Sequence, residues 1–296
     1  MIKFGVAGNS NSFYEEGFNK TVDAAKWCKD RSIDVFEYSF GRGVNLSTSS
    51  ANEIKDAFQH EGVELTVHAP YYINLSNTDD EMIRKSFGYI INSINKASEL
   101  GANRIIIHPA SQGKLQRNVA EEIMLDNIKK LIEILDINNI TNVLLCWETM
   151  GKVGQMGTVD EIIKICKLDD RFIPCVDFGH INAREQGILN NAKNYNTLLQ
   201  KLIINLGFNK VVNMHAHFSK IEYGIRGEIR HLTFADSKYG PDFEPLIDEL
   251  INLKLKPLII CESDGTQAED TITMKRYYLS NYKILDGSLE QKYPLL

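Results

Sequence analysis

Short runs of apolar, often β-branched residues alternate along the whole chain with longer stretches whose apolar positions recur every three or four residues. The short runs predict strands at Ile2–Val6, Ile33–Tyr38, Leu65–Val67, Arg104–Ile107, Val143–Trp147, Phe172–Val176, Val211–Met214 and Leu258–Cys261. The longer stretches predict helices around Thr21–Cys28, Ala51–Phe58, Glu81–Leu100, Val119–Leu135, Val159–Cys166, Tyr195–Leu206, Phe243–Leu253 and Thr271–Tyr278. Eight such alternations predict an α/β chain closed as a (β/α)8 TIM barrel, with a doubly wound open sheet as the competing arrangement. No Gly-Ser or Pro-rich linker, low-complexity segment or short-period repeat interrupts the pattern, so residues 1–296 are expected to form a single domain.

In a barrel of this kind the chemistry sits where the strands end, so the residue after each predicted strand is the informative one. The stretch FIPCVDFGH shows the principle: an apolar run stops at Asp177, and a glycine turn returns His180 to the same place. The other strands end at His68 (TVHAPYYINL), His108 (IIIHPAS), Glu148 (LLCWETMGK), His215 (NMHAHFSK) and Glu262 (IICESDG). Taken singly, each residue has an ordinary explanation as a turn or cap residue. Six in succession at one rim would crowd carboxylates that repel one another unless positive charge lies between them, and metal ions supply it.

Imidazole and carboxylate without thiolate suit zinc, manganese or iron better than copper or magnesium. One dication uses about four to six ligands. The strand-end residues together with His180, His217, Glu228 and His231 exceed what one ion needs, which points to two or three ions with Glu148 as a bridging carboxylate. Such clusters suit phosphodiester hydrolysis, where one ion polarises the phosphoryl oxygen and lowers the pKa of a water while another stabilises the leaving oxygen.

Composition changes this picture only a little. Hydrophobic content of 43% and charged content of 24% are those of an ordinary globular chain, and no apolar stretch is long enough to span a membrane. The opening MIKFGVAG lacks the pattern of a signal peptide. Five cysteines, Cys28, Cys146, Cys166, Cys175 and Cys261, are odd in number, lack zinc-finger spacing and read as reduced core thiols of a cytoplasmic protein. A net charge of −6 argues against a general nucleic-acid binder, but two or three bound dications would cancel most or all of it and leave a locally positive cleft. Lys114, Arg117, Lys152, Lys220, Arg226 and Arg230 fall in predicted rim loops, where scattered cations are usually solvated; Ser111 and Gln112 are candidates to support the ligands from behind. Trp147 should point away from Glu148 into packing.

The segments HAPYYINL, IIIHPAS, WETMGK, CVDFGHI, MHAHFSK and ICES, in that order and over essentially the whole chain, closely resemble the endonuclease IV family. These are apurinic/apyrimidinic endonucleases built as xylose-isomerase-like TIM barrels with a trinuclear zinc site. The resemblance implies that His68, His108 and Glu148 hold a first zinc, that Glu148 bridges to a second held by Asp177, His215 and Glu262, and that His180 binds a third. It also implies DNA contacts at Arg42, in the FGRGVNL loop, and at Tyr71. The chain departs from the family at GEIRHLTF: Glu228 and His231 lie three apart where the family has an Asp-x-His pair, and the Asp position falls on Ile229. Glu228 or His217 would then complete the third site with His231. The opening GVAGNSNS also differs from the family, and the loops look abbreviated.

The function these features imply is that of a hydrolase: a zinc-dependent deoxyribonuclease of DNA repair, cleaving damaged double-stranded DNA 5′ to abasic sites by metal-activated water that Glu148 orients. No membrane and no protein partner is implied. The alternative is a single-metal sugar isomerase or epimerase of the xylose-isomerase-like barrels, using Glu148, Asp177, His215 and Glu262 and leaving His68 and His108 without an ion. A catalytically silent nucleic-acid-binding barrel fits the altered third-metal segment but leaves the other ligands unexplained.

Overall fold

In the computed structural model, which describes residues 1–286, eight parallel strands close into a barrel. Twelve strands are present among the described residues: β1 (Lys3–Ala7), β2 (Val35–Ser39), β3 (Glu64–His68), β4 (Arg104–Ile107), β5 (Ala110–Ser111), β6 (Leu144–Glu148), β7 (Gln155–Met156), β8 (Phe172–Asp177), β9 (His215–Phe218), β10 (Lys220–Gly224), β11 (Gly227–Leu232) and β12 (Leu258–Cys261). The barrel runs β1-β12-β9-β8-β6-β4-β3-β2 and closes by pairing of β1 with β2. Two antiparallel pairs, β5 with β7 and β10 with β11, stand on connections that follow barrel strands. The open sheet is thereby excluded.

Side-chain alternation divides the apolar residues between two layers. Phe36, Leu65, Val67, Ile105, Ile107, Leu145 and Trp147 join helix residues such as Ile54, Phe58, Ile90 and Leu131 in the large cluster between barrel and helices. Trp147 is fully buried there, against Phe172, as expected from its position beside Glu148. The small clusters Ile106, Cys146, Ile173, Cys175 and Val35, Leu258, Ile260 contain strand residues alone and fill the inside of the barrel. The surrounding helices follow local rules. Thr48–Glu61 buries Ala51, Ile54 and Phe58 on one face, starts where Ser47 accepts from the Ser50 amide, and stops at Gly62 in the left-handed region. Val159–Cys166 opens with a capping box between Thr158 and Glu161.

One expected strand is misplaced. The run Val211–Met214 is not a strand: Phe208–Val211 is a short helix, and β9 begins at His215. A four-residue apolar run carries no period that separates a strand from a buried helical turn. Val211 and Met214 are buried, but in the layer between barrel and helices. The shift moves the functional tip of this strand from His215 to His217, which stands opposite Asp177 of β8. Among the described residues no helix is long and apolar enough to cross a membrane.

Candidate metal centre

The two-residue period of the strands points His68, Glu148, Asp177 and His217 inward at the C-terminal end of the barrel, and His108 and Glu262 follow directly after β4 and β12. They converge on Glu148, which is 1% exposed. Its Oε2 lies 3.3 Å from His68 Nε2 and 3.0 Å from His108 Nε2. Its Oε1 lies 3.2 Å from His217 Nδ1 and 3.3 Å from His180 Nδ1. One carboxylate thus faces two groups of donors, one with each oxygen.

Four sets among the described residues have donor atoms within 4.8 Å of one another: His68, His108 and Glu148; Glu148, Asp177, His217 and Glu262; His180, Glu228 and His231; and, deeper in the barrel, Cys175, His215 and His217. The residues fit metal ions on two counts. Imidazole and carboxylate are the donors that zinc, manganese and iron share. Asp177 spends Oδ1 on the His180 amide, capping the helix Phe178–Arg184 at 2.7 Å, while its buried Oδ2 has no hydrogen-bond partner and lies 3.1 Å from His180 Nδ1.

The electrostatics are those of a crowded site. Burial opposes ionisation of Glu148, yet His108 and His217 hold its carboxyl well below the usual range. Burial raises Glu262, and the neighbouring charges of Glu148 and Asp177 add to the rise against the pull of His217 and His231. Burial disfavours a charged His180, but Asp177, Glu148 and Glu228 overcome it and raise the imidazole to about 10. Burial lowers His108 despite Glu148 beside it. Without cations, protons must hold these acids together.

A cavity of about 320 Å³ opens over these residues and is lined also by Tyr71, Met150, Lys152 and Gln155. A larger groove of about 430 Å³ lies between helices Val159–Cys166, Phe178–Arg184 and Ala192–Leu206. Its walls carry the Asp160–Lys201 ion pair at 2.7 Å and none of the converging donors.

A family model described as the xylose isomerase-like TIM barrel matches residues 25–277. The chain belongs to this family. Over 277 residues it is 31% identical to an uncharacterised protein of Methanocaldococcus jannaschii, covering 94% of this chain and 97% of that one. It is 30% identical over 184 residues to a probable endonuclease 4 of Malacoplasma penetrans, 60% of this chain and 61% of the relative. A probable endonuclease 4 of Thermoplasma volcanium is 26% identical over 209 residues, 70% of each chain. The chain thus spans about three fifths of the Malacoplasma endonuclease it matches. Among solved structures, a D-tagatose 3-epimerase-like protein aligns with a TM-score of 0.72 at 21% identity, covering 96% of this chain and 99% of that one. Endonuclease IV of Thermus thermophilus aligns at 0.65 and 18%, covering 94% and 97%. At these identities the two structures share the fold. The resemblance to endonuclease IV drawn from the motifs is met again in probable endonuclease 4 relatives aligned over 60–70% of the chain.

Within this xylose isomerase-like barrel, the structure brings together His68, His108, Glu148, Asp177, His180, Glu228, His231 and Glu262. His215 stands apart from these residues, in the group it forms with Cys175 and His217. It lies one layer deeper, with Nε2 3.0 Å from Glu37 Oε2, and its expected place is taken by His217 because β9 starts late. Glu37 escapes a reading of the sequence; the available signal is an acid inside the apolar strand VFEYS.

Glu228 and His231 meet His180 in spite of their three-residue spacing. The β10–β11 pairing shifts between Glu222 and Tyr223, so that Tyr223 pairs with Glu228 and Glu222 with Arg230. Ile229 is the extra, bulged residue, and Glu228 and His231 stay on one face as partners of Tyr223 and Ile221. Glu228 Oε2 lies 3.4 Å from His180 Nε2. Ser219 Oγ at 2.8 Å occupies His231 Nδ1, leaving the other ring nitrogen for a metal. The hairpin is seated by glycine. A Cβ on Gly151 would come within 2.8 Å of Glu228 and 2.9 Å of His180, and one on Gly227 within 2.1 Å of the Gly151 carbonyl.

Tyr71 is 55% exposed, with its ring 5.2 Å from that of His68 and 5.4 Å from that of His108. Arg42 is exposed on the loop after β2. Of the loop cations, Arg117 pairs with Glu161, Lys220 with Asp242 and Arg230 with Glu222, whereas Lys152 lines the cavity 3.8 Å from Glu228. Gln112 donates to the Leu115 carbonyl and Ser111 is exposed, so neither backs a ligand. All five cysteines are free and buried. Cys175 has its sulfur within 4.8 Å of donors of His215 and His217, and burial pushes its thiol well up.

Proposed function

We propose that this protein is a zinc-class metal-dependent phosphodiesterase of DNA repair that cleaves damaged double-stranded DNA 5′ to abasic sites. The observation that carries the reading is the pair of donor sets sharing Glu148, one with each carboxylate oxygen, beside a third set at His180. A single-ion isomerase would leave His68, His108, Glu228 and His231 buried or half-buried around nothing. The description of the Malacoplasma and Thermoplasma relatives as probable endonuclease 4 supports the same class.

His68, His108, Glu148, Asp177, His217 and Glu262 would hold two ions, and His180, Glu228 and His231 a third. Bound dications would supply Lewis-acid charge to a phosphoryl oxygen and lower the pKa of water. Glu148, held ionised by its imidazole neighbours, fixes the donor sets relative to each other and orients the attacking water. Lys152 stands where a phosphate oxygen can take its ammonium. The cavity is too small for a duplex, so the damaged nucleotide must leave the stack to reach it. Tyr71 and Arg42 offer a ring and a guanidinium to the gap left behind. The unpaired buried thiols support action in the cytoplasm, and we take residues 1–296 as one domain, of which 287–296 lie outside the described residues.

The test is an oligonucleotide duplex with one tetrahydrofuran abasic analogue. Metal-replete protein should cut it 5′ to the analogue and leave a 3′-hydroxyl. Protein that leaves it intact while epimerising a ketose would reverse the assignment in favour of a sugar epimerase. That second reading is favoured by one observation, the set Glu148, Asp177, His217 and Glu262, which could serve a single ion unaided. Metal analysis separates the two: two or three equivalents for the nuclease, one for the epimerase.

A further inference from the structure

Beneath the metal centre, inside the barrel, lies a carboxylate that the ligand sets do not use. Glu37 on β2 is 1% exposed. Its Oε2 accepts from Thr66 Oγ1 at 2.8 Å and lies 3.0 Å from His215 Nε2. Its Oε1 lies 3.1 Å from His217 Nε2. At that distance the two atoms face one another without an aligned hydrogen bond, and neither Glu37 Oε1 nor His217 Nε2 has a hydrogen-bond partner among the described residues. The other nitrogen of the same ring, His217 Nδ1, lies 3.2 Å from Glu148 Oε1 and 3.5 Å from Glu262 Oε2.

We infer that Glu37 is a positioning residue, whose carboxylate takes the Nε2 proton of His217 in a hydrogen bond and so presents the Nδ1 lone pair to the metal centre. A neutral imidazole carries one N–H, and a carboxylate at one nitrogen places the proton there and leaves the other free to ligate. The same contact prevents the ring from turning over, which would exchange its two nitrogens. Glu37 can do this because the Thr66 hydroxyl fixes its other oxygen from the far side. An unpaired charge at this buried position would be strongly destabilising, and apolar residues fill the layer below, so an acid here calls for a role beyond packing. The inference rests on the proposed metal centre, though not on the identity of its substrate.

The experiment loads chelator-stripped full-length protein with Zn2+ against a chromophoric chelator. Glu37→Gln should weaken the affinity for the dication by about 10–100-fold, and Thr66→Val should weaken it less, in the same direction. Placed in a His217→Ala background, Glu37→Gln should add nothing, because its effect passes through that ring. Unchanged affinity in Glu37→Gln, or a loss that persists undiminished without His217, overturns the inference. So does a thiolate-to-cobalt band in Co2+-loaded native protein that vanishes in Cys175→Ser, since the deeper group would then be an ion site of its own. If Glu37→Gln does not fold, Thr66→Val decides, and unchanged affinity there counts against the inference. Native protein that takes up no dication would bring down the metal centre as well, whereas native uptake matched by Glu37→Gln brings down this inference alone.

Discussion

The inside of the barrel contains two regions built from the same strands and separated by one step of the pleat. Val35, Ile106, Cys146, Cys175 and Ile260 belong to its apolar filling. Two residues further along the same strands stand Glu37, His108, Glu148, Asp177 and Glu262. The lower region stabilises the fold by burying apolar surface and needs nothing from outside. The upper region gathers acids and imidazoles that shift one another's protonation in opposite directions, and it is at rest only when cations or protons lie among them. Fold and chemistry are therefore supplied by adjacent layers, and substitutions in each should fail differently.

The largest separation should come from Glu148→Gln. Cleavage of the abasic duplex should fall by on the order of 10³-fold or more, in protein that still folds by circular dichroism. Retained cleavage would remove Glu148 from the mechanism. Ile106→Ala makes the opposite cut: a loss of about 2–5 kcal/mol of stability in denaturant unfolding, with metal bound per folded molecule unchanged. A metal loss equal to that of Glu148→Gln would show that the two layers are not separable.

A finer division runs within the upper region. Glu228→Ala should remove about one equivalent of metal, read by elemental analysis, and slow cleavage less than Glu148→Gln does. Unchanged metal content and rate would make Glu228 a simple hairpin acid. The smallest effect is a proton count. Asp177, Glu148 and Glu228 outweigh burial and raise His180 to about 10, above its ordinary 6.5. In metal-free protein the proton-linked stability from this group is fully present below about pH 6.5 and is lost as pH rises through about 10. Zn2+ loading near pH 8 should accordingly release a proton from His180, seen as a buffer-dependent binding enthalpy in calorimetry. A buffer-independent enthalpy would mean that His180 is already neutral or stays outside the site.

Much of this is legible in the chain. Strands ended by a ligand announce both the closed barrel and its rim, because apolar alternation and a terminal acid or imidazole are written in the same few residues. His215 stands in for His217 in the sequence pattern because Val211 and Val212 make a strand-like run of what is a helical turn, so the expected end of the strand falls too early. Glu37 is illegible for another reason. A single acid within VFEYS has no partner in sequence, and only closure of the barrel brings it beneath a histidine from β9. Tyr71 can be placed beside His68 because it lies three residues away, whereas nothing in the sequence fixes where Arg42 stands.

The outward step of the β11 chain at Ile229 has a consequence for anyone searching genomes for similar sites. An added residue that loops out of a hairpin alters the interval between two donors while leaving their meeting point where it was. A search pattern with a rigid interval would pass over such chains, whereas one that tolerates a single insertion there would retrieve them.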